Sequence, residues 1–128
     1  MPLVRVTLRK GKSPEFLREV GNAIHEALVA QANVPADDRF QVFDEVAHEN
    51  LVAHPTYAGC DRSESVLIIE ITLNAGRTVE IKRALYRDIA DRLQKAIDVR
   101  PDDVLINLVE VTKENWSFGK GLATYAEK

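Results

Sequence analysis

Among the residues whose chemistry stands out, the first is Pro2, which follows the initiator Met1. Methionine aminopeptidase normally removes Met ahead of a residue as small as proline, so the expected mature chain begins at Pro2 and carries a secondary amine. Such an amine acts as base, acid or nucleophile, and its pKa falls where apolar burial and a neighbouring guanidinium disfavour the ammonium form. A proline after Met also occurs without chemical purpose, so Pro2 needs partners to count as a site. Other reactive types compete weakly. His25, His48 and His54 lack metal-ligand spacing, and Gly119-Lys120-Gly121 is too short for a phosphate loop. No metal and no cofactor is assigned.

The elements that must position Pro2 follow from an internal repeat. Residues 2–46 laid over 67–111 at an offset of 65, without a gap, are identical at twelve of 45 positions. Thr7-Leu8 meets Thr72-Leu73, Gly11 meets Gly76, Ile24 and Leu28 meet Ile89 and Leu93, and Asp37-Asp38 meets Asp102-Asp103. In each copy β-branched alternation gives way to apolar residues at helical spacing and then to a second strand. The first helix is expected to start at N-cap Ser13 with Pro14 at its first position and to bury Leu17, Val20, Ile24, Ala27, Leu28 and Ala30. The second is expected to start at cap Thr78 and bury Leu85, Ile89, Leu93 and Ala96, with Pro101 in the following loop and a strand over 104–111. Each copy has the length of a right-handed βαβ unit with parallel strands.

Val4, Val6 and Leu8 align with Ile69, Ile71 and Leu73, so that sheet face is expected beneath the helices. The opposite face carries Leu3, Arg5 and Thr7 against Ile68, Glu70 and Thr72, too apolar to leave in water, and subunit contacts are expected to cover it. Residues 46–65 link the copies and residues 113–128 form a tail outside the repeat. The expectation is one domain over 1–128, of the α/β (α+β) class, with two tandem βαβ units forming a four-stranded sheet and two helices on one face. Two fold families share this pattern, the ferredoxin-like and the tautomerase folds.

Composition narrows the partners. The chain has 128 residues, 45% of them hydrophobic, and its 17 basic and 20 acidic residues are interspersed with a net charge of −3. With no basic stripe, neither nucleic acid nor a membrane is expected as partner. The single Cys60 can form no internal disulfide, and no signal segment is evident, so a cytoplasmic address is expected.

Taken together, Pro2-Leu3, the segment Asn33-Val34-Pro35-Ala36-Asp37-Asp38-Arg39-Phe40-Gln41, Arg62-Ser63, Gly76-Arg77-Thr78 and the tail Asn115-Trp116-Ser117-Phe118-Gly119-Lys120-Gly121 resemble the tautomerase superfamily, in its malonate semialdehyde decarboxylase-like branch. The resemblance covers nearly the whole chain and implies a tautomerase-like fold, a homotrimer, and a proline at each active-site floor, and the half-apolar outer face fits a trimer or a hexamer. It implies catalytic roles for Pro2, Asp38 and Arg77, carboxylate binding by Arg77, and an apolar wall of Trp116 and Phe118 with Tyr125 further on. One departure is plain: the branch has a second arginine where this chain has Ala75.

Each residue also has a structural reading. Asp37-Asp38 is repeated by Asp102-Asp103, as a turn or cap requires. Arg77 is mirrored by Lys12, although a guanidinium is the better fork for a carboxylate. Trp116 and Phe118 alternate as on a strand, where aromatics usually belong to a core. The resulting expectation is an isomerase acting by keto-enol tautomerisation of a small 2-oxo acid, with neutral Pro2 moving the proton. The first alternative keeps Pro2 protonated as an acid, with Asp38 activating water or assisting decarboxylation or hydration of a 3-oxo or unsaturated acid. The second is a non-catalytic ferredoxin-like binding or assembly module, which needs no terminal proline.

Overall fold

The computed structural model describes residues 2–126; Met1, whose removal the sequence leads one to expect, lies outside the described residues. Strand β1 (Leu3–Arg9), helix α1 (Pro14–Ala32) and strand β2 (Phe40–Val46) form the first unit, and β3 (Leu67–Asn74), α2 (Val79–Ile97) and β4 (Val104–Val111) the second. The sheet order is β2-β1-β3-β4, with β1 parallel to β2, β3 parallel to β4, and β1 antiparallel to β3 at the centre. No helix among the described residues is long and apolar enough to cross a membrane.

The two helices start and stop at the same repeat positions for local reasons. Ser13 Oγ accepts the Phe16 N–H, and Thr78 Oγ1 accepts the Ile81 N–H, each satisfying one of the orphan donors of a first turn. Both helices end on a left-handed residue, Asn33 (φ 58°) and Asp98 (φ 56°), types that tolerate this conformation. The strand-to-helix turns need a positive φ too, and glycine supplies it at Gly11 (120°) and Gly76 (126°).

Val4, Val6 and Leu8 join Ile69, Ile71 and Leu73 in a single core with Val20, Ile24, Leu28, Leu85, Ile89 and Leu93, so both helices cover one sheet face. Ala30 and Ala96, expected in the helix stripes, are exposed. Methyl-sized residues carry little burial energy and mark a face poorly, and Ala23 and the partly buried Ile97 occupy the core-facing positions instead. On the far face Leu3, Phe40, Val42 and Val109 remain exposed around the Arg5–Asp44 ion pair (2.7 Å).

The strand directions decide what meets what. β1 and β2 begin at the end of the sheet where β3 and β4 finish. Pro2, the loop before β2, the turn after β3 and the tail after β4 therefore converge there, whereas the linker 47–66 belongs to the opposite end.

Candidate active site

Pro2 is buried at the start of β1. Two residues ahead of β2, Asp38 is only 5% exposed, in a turn closed by its own N–H to the Pro35 carbonyl (3.0 Å). His25 holds the same loop from α1 through Nε2 and the Ala36 carbonyl (2.8 Å). Burial raises the Asp38 pKa; the neighbouring Asp37 adds to the rise and His25 opposes it. A carboxyl so tuned, at the sheet end where the chain starts, suits proton handling better than a solvated turn aspartate does.

Arg77 crosses from the turn after β3 to the end of α1. Its Nε and Nη2 both donate to the Ala32 carbonyl (3.2 and 2.8 Å), and Nη1 donates to the Asn74 carbonyl (3.0 Å). Helix α1 has no basic residue in its last turn, so Arg77 supplies the cation its negative pole favours. The structural reading of Arg77 is thus correct as far as it goes. A guanidinium has five N–H groups, however, and these contacts engage one on each nitrogen. One N–H on each Nη is left without a partner among the described residues, and guanidinium N–H groups are donors of the type that bind a carboxylate.

The tail supplies the apolar wall, although not as a strand and not as core. β4 stops at Val111, and residues 112–116 make a tight turn in which Asn115 and Trp116 donate to the carbonyls of Thr112 (3.0 Å) and Lys113 (3.3 Å). The Trp116 and Phe118 rings stack at 5.3 Å and 11°, Phe118 continues onto Phe40 at 6.1 Å, and Tyr125 meets Phe118 edge-on at 5.8 Å. Leu3, Phe40, Trp116, Ser117 and Phe118 line an open pocket of about 200 Å³. The expected residues Pro2, Asp38, Arg77, Trp116, Phe118 and Tyr125 thus all fall at one end of the sheet.

Phe40, Leu3 and Asn74 also belong to this end and were not singled out from sequence. Leu3 reads from sequence as a member of the outer sheet face, where Phe40 lies in register with it. Asn74 left a signal in the repeat, where it replaces Arg9.

With this geometry in hand, comparison with known proteins gives the class. Residues 38–119 match one family model described as tautomerase enzyme, and residues 2–60 match another of that description. The chain is similar to the probable tautomerase YusQ of Bacillus subtilis (strain 168), at 39% identity over 127 residues covering 99% of this chain and 100% of the relative. It is similar to a malonate semialdehyde decarboxylase, studied for its decarboxylase and hydratase activities, with a TM-score of 0.90, 30% identity, and coverage of 96% of this chain and 95% of that one. A second malonate semialdehyde decarboxylase, inhibited by 3-bromopropiolate, has a TM-score of 0.90, 37% identity, and coverage of 96% and 93%. The chain belongs to the tautomerase family.

Proposed function

We propose that this protein catalyses keto-enol tautomerisation of a small 2-oxo acid, with the secondary amine of Pro2 as the proton carrier once Met1 is removed. The observation that carries the reading is the Arg77 guanidinium, pinned on backbone carbonyls with one N–H left on each Nη, at the sheet end shared by Pro2 and an aromatic pocket. The substrate carboxylate takes the fork, its apolar portion lies against Trp116 and Phe118, and its reactive carbon faces the proline nitrogen. Neutral amine removes the proton from carbon and the resulting ammonium returns it at oxygen, or the reverse, so no net proton is consumed.

A second reading is favoured by the similarity to two malonate semialdehyde decarboxylases. In it Pro2 stays protonated and acts as an acid while Asp38 assists decarboxylation or hydration. Ala75 weighs against it, since a single cation then has to bind the carboxylate and polarise the carbonyl. Ultraviolet assays on phenylpyruvate tautomers, run beside a decarboxylation assay on malonate semialdehyde, separate the two: faster enol-keto exchange with weak decarboxylation supports the first, and efficient decarboxylation without exchange the second.

We also infer a homotrimer, or a hexamer built of such trimers, from the exposed Leu3, Phe40, Val42 and Val109 on the outer sheet face. Leu3 and Phe40 line the pocket as well, so an assembly covering that face also closes one side of the site. A sedimentation mass near the chain's 14.3 kDa at micromolar concentration would contradict it.

A further inference from the structure

At the repeat offset of 65, Asn74 stands where the first copy has Arg9, and the two residues serve opposite ends of the sheet. Arg9 donates to the carbonyls of His48, Leu51 and Glu64 and so holds the linker (3.2, 2.6 and 3.1 Å). Asn74 faces the candidate site instead. Its side-chain Oδ1 accepts the Trp116 Nε1–H at 2.8 Å, while its backbone carbonyl accepts Nη1 of Arg77 at 3.0 Å. Its position is fixed from a third side, because it is the last residue of β3 and lies in register with Val111, the last residue of β4 before the tail departs.

One residue therefore ties the anion-binding cation to the apolar wall. The indole hydrogen bond matters beyond its own strength, since Trp116 stacks on Phe118 and Phe118 on Phe40, so a rotation of the indole is passed along the wall. A neutral carboxamide suits the position. An aliphatic side chain would leave a part-buried N–H without its acceptor, and a carboxylate would accept the same N–H but set an anion beside Arg77. We propose that Asn74 is a positioning residue for the reaction: its Oδ1 orients Trp116, and with it the pocket wall, against the carboxylate fork of Arg77.

This inference rests on the tautomerase reading above, and the two fail differently. Trp116 is the only tryptophan, so intrinsic emission reports its surroundings without further labelling. Asn74→Ala should shift that emission to the red, increase quenching by acrylamide, and lower kcat/KM for phenylpyruvate about five- to tenfold, mainly through KM. Trp116→Phe keeps an aromatic ring and removes the donor, so the double variant should be no worse than Trp116→Phe alone, and Asn74→Asp carries the test if Asn74→Ala fails to fold. Asn74→Asp should keep the wild-type emission yet raise KM. Fold losses that multiply in the double variant, or emission unchanged in Asn74→Ala, would overturn the proposal. An inactive wild type would instead overturn the functional reading on which it rests.

Discussion

The two ends of the sheet are built from the same repeat and finished differently. At the linker end Asp103 Oδ1 and Oδ2 accept the backbone N–H and hydroxyl of Ser63 at 2.7 and 2.6 Å, so its carboxylate is spent on tying down the loop. Lys12, the counterpart of Arg77, donates to Ser65 Oγ at 3.1 Å. The end of α2, unlike that of α1, carries its own cation, Lys95, in its last turn. Leu67, the counterpart of Pro2, is fully buried and has a residue on either side. At the other end the chain starts, Asp38 is buried with a raised pKa, Arg77 has N–H groups to offer, and an aromatic tail takes the place of the linker. Duplication thus supplies a scaffold twice, whereas the proposed function calls on groups that only one end of it brings together.

The comparison breaks most sharply at the two cations. Arg77→Ala should lose about 2–4 kcal/mol of transition-state stabilisation, read as kcat/KM on a 2-oxo acid, while Lys12→Ala should change it by less than about twofold. Equal losses would mean that the two ends are chemically alike.

The paired aspartates sharpen it further. Asp103→Ala removes both acceptors of Ser63 and should cost about 2–3 kcal/mol in urea unfolding with nearly unchanged turnover. Asp38→Asn should do the reverse, lowering turnover about tenfold while raising stability at neutral pH. The sign follows from burial. A carboxyl whose pKa is raised on folding contributes stability fully present below its unfolded value, near 3.8, and lost as pH rises through the folded value. Melting curves of the wild type and Asp38→Asn should therefore converge at about pH 3 and separate toward pH 7. A gap that stayed constant with pH would assign the effect to packing rather than to charge.

The features that were legible in the sequence are those set by short-range chemistry. Ser13 and Thr78 cap helices by bonds three residues away, and the offset of 65 carries both 19-residue helices from one copy to the other. Pro2, Asp38 and Arg77 could be read by resemblance, and the strand directions bring them to one end. What could not be read depends on contacts between distant segments. The stacking of Phe118 on Phe40 joins the tail to β2, and the bond from Trp116 to Asn74 joins it to β3. Neither leaves a periodic trace in the chain, so an alternating pair of aromatics looked like a strand.

The central claim is that the amine of Pro2 does the chemistry, and it is tested by comparing chains that begin at Pro2 with chains that retain Met1. With Met1 attached, the proline nitrogen is a tertiary amide with no basic lone pair and no proton to give. The two forms, sorted by mass spectrometry and assayed at equal concentration on phenylpyruvate, should fold alike and differ in kcat/KM by at least about a hundredfold, the scale of one general acid-base group. Equal activity would make Pro2 a structural residue and contradict the account.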